Sequence, residues 1–342
     1  MSDFITGLRA DLLEAAVREE TRPVRRRVAV SWRPALAFAA AVLAILAIAG
    51  VLHSVVPQQR AASMRIAREL RLGGLPVDAV LAHGGLWVLD ARGGLRRVTG
   101  GPLHLKTPAA ASALVSGPGR LWAIGQDGRQ GYWLIGVDGR TGARVFHKRY
   151  PGVLMGIAAG ETGVWFSDTL PAYAIRLDGR RIRLPDTSYI AAGGGTLWAL
   201  DDLHGNLSSV DERTGKLLLR IPVLVDPTGS PGSGGHLMAA DAGGVWISDP
   251  GRDQVVRVTR QGMQKRLEVG PLPGILARRG DTLWVATGDP HREDFQLKRV
   301  DLRSGEVSAG IELGAHAPRA LEPFAGGCWV VAADGTAFEI RG

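Results

Sequence analysis

The pattern of apolar and polar positions divides the chain into two unlike parts. From Pro34 to Pro57 no side chain is charged, and Ala35–Leu52 is almost wholly Ala, Leu, Ile and Val. About 20 apolar residues cross a bilayer core as a helix, so the stretch predicts a transmembrane helix, taken as residues 34–56. Ahead of it, Phe4, Leu8, Leu12 and Ala15/Ala16 repeat at helical spacing. That spacing predicts a short amphipathic helix within a leader of residues 1–33, ended by Thr21-Arg22-Pro23. Beyond a linker at 57–63, the pattern changes to short apolar runs broken by glycine-rich turns. Such runs are the mark of many short strands.

Those runs keep a period. Trp87, Trp122, Trp165, Trp198, Trp246, Trp284 and Trp329 each follow a glycine and a short run, as in Gly85-Leu86-Trp87 and Gly163-Val164-Trp165. Their separations are 35, 43, 33, 48, 38 and 45 residues. Repeats of ~40–45 residues holding four short strands are propeller blades. A second landmark follows the tryptophan in Val137-Asp138-Gly139-Arg140-Thr141-Gly142, Val210-Asp211-Glu212-Arg213-Thr214-Gly215 and Val300-Asp301-Leu302-Arg303-Ser304-Gly305, with a shorter form at Leu177-Asp178-Gly179. Asp accepts backbone hydrogen bonds there and Gly supplies positive φ, so each string predicts a hairpin turn. One blade reads in full as strands at Gly274–Arg279, Thr282–Ala286, Gln296–Asp301 and Glu306–Leu313.

The last blade runs out of chain after Ala337–Ile340, and a ring must not leave an edge open. Met64–Leu72 is therefore expected to supply its outer strand. The fold expected is all-β: a seven-bladed β-propeller of four-stranded blades over 64–342, preceded by a single transmembrane helix.

Charge orients the anchor. Arg18, Arg22, Arg25, Arg26, Arg27 and Arg33 precede the span, whereas Arg60 and Arg65 are the first cations after it. The positive-inside rule places the N-terminus in the cytoplasm and the propeller outside. A cleaved signal peptide, with Ala47-Ile48-Ala49 as its cleavage site, is the competing reading, but the apolar run exceeds the usual 7–15 residues. The formal charge is +8, and the cations fall on expected outer strands, as in His147-Lys148-Arg149 and Lys265-Arg266. Charge on an exposed strand blunts edge pairing, and it is too dispersed here to suggest nucleic acid. The single cysteine, Cys328, excludes an intrachain disulfide framework and a cysteine-based zinc site.

Gly-x-Leu-Trp, a strand and an Asp-x-x-Thr-Gly turn together resemble the repeats of virginiamycin B lyase-like propellers and the neighbouring NHL and YVTN-type groups. The resemblance covers about 64–342 and implies the propeller fold. Its lyase members imply metal-dependent elimination by histidine and glutamate. The position three after the tryptophan, often glutamate there, holds Asp90, Asp168, Asp201 and Asp249 in this chain. No catalytic residue is carried over.

The chain's own chemistry is sparse. It has no Gly-x-Ser-x-Gly elbow, no phosphate loop and no dinucleotide fingerprint, and its histidines lack metal-like spacing, so neither cofactor nor metal is expected. His236 begins an inner strand, His204 lies in the turn Asp201–Asn206, and His291-Arg292 lies in a loop. In a propeller the loops into strand one and between strands two and three share a face. That face, with the Pro/Gly/Ser loop Asp226–Gly235, is the expected ligand-binding side, with His204, His236, His291 and Arg292 as candidates. The expected role is an extracytoplasmic binding, sensing or protein-interaction module for a protein, peptide or glycan. The alternative is a propeller lyase or hydrolase using His236 with Asp201 or Asp202 at the channel mouth.

Overall fold

The computed structural model of the chain describes residues 63–342, apart from 109, 128–130, 170–171, 185–188, 202–203, 224 and 226–235. The leader, the apolar 34–56 segment and the Asp226–Gly235 loop lie outside the described residues. Among the described residues no helix is long and apolar enough to cross a membrane.

Residues 65–341 form seven four-stranded antiparallel sheets, each a propeller blade. In six of them the strands follow chain order from the channel outwards. Their inner strands are Pro76–Ala82, Ala111–Gly117, Leu154–Gly160, Tyr189–Gly193, Met238–Asp241 and Leu276–Arg279. The seventh blade takes three strands from the end of the chain, beginning with inner strand Pro318–Phe324, and its outer strand from the beginning, Arg65–Arg71. The expected closure is therefore the observed one. Arg65 pairs with Arg341 and Arg71 with Thr336, so the first described strand covers an edge that would otherwise be open.

The blade read in full keeps its four strands, with moved ends. Its outer strand is Ile311–Gly314 instead of Glu306–Leu313. The Arg299 N–H is taken by the Ser308 hydroxyl at 2.9 Å, and only an isolated bridge, Val300 to Val307, precedes the strand. The inner strand begins at Leu276, although Gly274 still donates to the Ala286 carbonyl at 2.8 Å.

The repeated residues explain the repeated sheet. Asp138 Oδ1 accepts the Thr141 N–H at 2.7 Å and its hydroxyl at 2.8 Å, and Asp211 holds Thr214 in the same way. These bonds hold the Asp138 and Asp211 carboxyls below their ordinary range. Gly142 and Gly215 follow at φ 73°, where a side chain would be strained. In three blades the glycine two before the tryptophan, Gly85, Gly244 or Gly327, is required by crowding. A Cβ on Gly327 would lie 2.1 Å from the Ile340 carbonyl oxygen, and one on Gly85 would lie 2.3 Å from that of Thr99.

Apolar residues gather into seven clusters, one between each pair of neighbouring blades. Trp87 packs with Leu114 and Leu121 of the second blade, Trp165 with Ile190 and Leu197 of the fourth, and Trp329 with Ala79 and Leu86 of the first. Each repeat tryptophan thus faces the blade that follows it. In three blades an arginine on the third strand covers its ring, Arg97 over Trp87, Arg176 over Trp165 and Arg257 over Trp246, at 5.5–5.7 Å from the centroid. Cys328 belongs to the same packing. It is fully buried, and burial pushes its thiol well above the usual range.

Gly327→Ala forces a methyl against a backbone carbonyl that cannot swing aside. It should cost about 1–3 kcal/mol, the usual range for overpacking. A lowered midpoint in urea unfolding checks this, and an unchanged midpoint would refute the crowding argument.

Candidate functional site

Antiparallel order in every blade places the links into strand one, and those between strands two and three, at one face of the disc. The turns between strands three and four lie at the other face, where Arg65 also begins its strand. His236, His204 and His291 therefore share a face, as their sequence positions suggested. Each has a different partner.

His204 follows the second strand of the fourth blade, and its Nδ1 lies 2.9 Å from Asp201 Oδ2. Asp201 Oδ1 also accepts the His204 N–H at 3.0 Å, so the aspartate shapes its own turn. The imidazole is 60% exposed and the carboxylate 4%. The related aspartates do similar work: Asp90 accepts the N–H groups of Leu75 and Arg92, and Asp249 accepts the Arg266 guanidinium at 3.0 Å. His291 is exposed, on a loop ordered by its neighbours. Asp289 accepts the His291 N–H at 2.8 Å and holds Arg292 at 3.6 Å, while Asp294 accepts the Asp289 N–H. Asp202 lies outside the described residues.

His236 meets a carboxylate that sequence reasoning did not single out. Its Nε2 lies 2.7 Å from Asp78 Oδ1, across the channel from the fifth blade to the first. Asp78, rather than Asp201, is its partner. The Asp78 side chain is 3% exposed, and both its oxygens are committed. Oδ1 also accepts the Ala79 N–H and Oδ2 accepts the Leu114 N–H, each at 2.7 Å, so one carboxylate joins the inner strands of two blades to a third. Nearby, Glu322 of the seventh blade accepts the Leu81 N–H at 2.8 Å, tying that blade to the first. Asp78 and His236 line a cavity of about 170 Å³ whose other walls are apolar and rich in alanine, among them Ala113, Ile157, Ala192 and Ala240.

The electrostatics follow from this crowding. Burial would depress the His236 imidazole, but the Asp78 carboxylate, with help from Glu322, outweighs it and holds the pKa at about 9. Burial raises Glu322 to about 7, against the Leu81 N–H and His236, which favour its charged form. Among the described residues no group of three or more His, Cys, Asp and Glu side chains is placed to hold a metal ion.

Both missed carboxylates were visible at a fixed offset. Seven positions before the tryptophan, six blades carry Val80, Val115, Ala158, Ala191, Ala239 and Ala277, and the seventh carries Glu322. Nine positions before it, Asp78 stands alone among Ala113, Gly156, Tyr189, Leu237, Ile275 and Ala320. The informative signal was the polar exception in an apolar column.

No family model matches the chain, and a search of curated proteins finds no match. Solved structures do match. Virginiamycin B lyase from Staphylococcus aureus aligns at 15% identity with a TM-score of 0.62, covering 82% of this chain and 99% of that one. BamB from Moraxella catarrhalis aligns at 14% and 0.55, covering 82% and 98%. The Cps50 (Swd1) β-propeller domain from Myceliophteria thermophila aligns at 12% and 0.63, covering 82% and 100%. The chain shares their fold. At such identity the likeness carries architecture alone.

Two predictions come from the channel cluster. Asp78→Ala orphans two buried N–H groups at about 1–3 kcal/mol each, so its loss of stability should exceed that of Gly327→Ala. Calorimetric melting of the variants checks the order. Glu322 gains a raised pKa on folding, so its contribution is full below about 4.5 and is lost as pH rises through about 7. The stability difference between wild type and Glu322→Gln should therefore move against wild type across that window. A difference that is flat from pH 4 to 8 would show that Glu322 is not buried as described.

Proposed function

We propose that this protein is a membrane-anchored, extracytoplasmic propeller that binds a protein, peptide or glycan through the face carrying His204, His236, His291 and Arg292. The anchor reading is supported by the uncharged Pro34–Pro57 stretch and by the arginines that precede it. The observation that carries the binding reading is the commitment of Asp78. Both its oxygens are engaged by backbone N–H groups and His236, which suits a tie across the ring better than a general base. The same face offers exposed His204, His291 and Arg292 on short loops held by a rigid scaffold, where recognition residues commonly sit.

The lyase or hydrolase alternative keeps one favourable observation, a His–Asp pair lining a cavity. Turnover by the purified chain that is lost in His236→Ala, with the fold intact, would favour it.

Topology is tested by cysteine labelling in intact cells with an impermeant reagent. Gly229→Cys should label and Ser2→Cys should not; the opposite result would reverse the orientation. A photo-crosslinker at His291 should capture a partner, whereas one at Arg181 on an outer strand should not. Capture only at Arg181 would move the binding surface to the rim.

A further inference from the structure

The central channel presents backbone donors that the described residues satisfy in some blades and not in others. In each blade a two-residue turn joins the inner strand to the second. In such a hairpin, ladder pairs alternate between hydrogen-bonded and non-hydrogen-bonded, and residues of the second kind turn their N–H away from the partner strand. The residue eight before each tryptophan is of this kind, pairing with the residue just after it: Ala79 with Val88, Leu114 with Ala123, Ile157 with Phe166, Ile190 with Ala199, Met238 with Ile247.

Three of these N–H groups show where they point. Those of Ala79 and Leu114 reach the two oxygens of Asp78, and that of Leu276 reaches the His236 carbonyl at 2.8 Å. The equivalents in the third, fourth and fifth blades are Ile157, Ile190 and Met238. These residues are 2–5% exposed, and all three line the cavity that Asp78 and His236 also line. At the position from which Asp78 serves blades one and two, blades three to five carry Gly156, Tyr189 and Leu237, none of which can offer a carboxylate. A buried N–H needs an acceptor.

We propose that this cavity binds a small monocarboxylate with a compact apolar body. Its carboxylate takes the N–H groups of Ile157 and Ile190 as Asp78 takes those of Ala79 and Leu114. His236 supports the same end of the ligand. Asp78 fixes its Nε2 as one donor, and the protonated ring keeps a second donor, Nδ1–H, that takes no partner among the described residues and is available to the acceptor. The volume, about 170 Å³, is near the ~150 Å³ that admits benzene in an apolar protein cavity. The alanine-rich walls receive an apolar body and offer no further charge. The inference shares His236 with the face proposed above but does not require the partner there, which engages the exposed loops.

The test is calorimetric titration of the full chain in detergent with benzoate and, separately, with benzyl alcohol. Benzoate should bind about tenfold or more tightly than the neutral analogue, the ratio expected when a charge-assisted hydrogen bond is lost. Ala192→Leu, at a partly exposed wall position, should abolish benzoate binding while the melting curve stays cooperative. Ala240→Leu, on another wall, replaces it if that variant fails to fold. Equal affinity for benzoate and benzyl alcohol, binding indifferent to both fillings, or no binding would each overturn the proposal and leave water as the channel's acceptor.

Discussion

The structure depends on one contact made seven times: the tryptophan of each second strand lies against the blade that follows. No blade has a core of its own, because each apolar cluster is shared by two neighbours. A four-stranded sheet with two greasy faces cannot stand alone in water, so stability comes only when the series returns to its beginning. Trp329 completes it by packing on Ala79, Leu86 and Val88. The Arg65–Arg71 strand then closes the seventh sheet by hydrogen bonding, with almost no apolar burial of its own.

Closure creates the channel, and the channel creates the chemistry. Seven inner strands turn alternate backbone N–H groups towards the axis, where no further strand can pair with them. The chain answers with Asp78 and Glu322, carboxylates that reach across blade boundaries. Asp78 also takes His236, and the carboxylates hold that imidazole above its ordinary range, while burial raises Glu322 above its own. The same constraint that makes the ring stable therefore sets Asp78, Glu322 and His236 together at the centre.

The architecture was legible because it is written in repeated residues. In three blades Gly-x-Trp marks where a Cβ would strike a carbonyl, and Asp-x-x-Thr-Gly marks a turn whose aspartate caps two donors. Even the missing strand followed from the unpaired end at Ala337–Ile340. The site was harder to read because its residues are single exceptions brought together from distant blades. His236 was singled out for its place before an inner strand, but 158 residues separate it from Asp78. Periodicity identifies what the blades share. Only the ring geometry shows that a lone Asp in the first blade and a lone His in the fifth meet across the axis. The outer strand of the sixth blade shrank to Ile311–Gly314 where a serine hydroxyl replaced a ladder bond, a local competition that strand patterns do not register.

The ring is closed by the strand at Arg65–Arg71. That strand is exposed along nearly its whole length, so only pairing with Thr336–Arg341 can protect its amides. Hydrogen exchange of the intact chain, read by mass spectrometry, tests this directly. Closure predicts that peptides covering 65–71 exchange as slowly as those covering the outer strand Arg144–Tyr150. Exchange at the rate of an unstructured segment would contradict it.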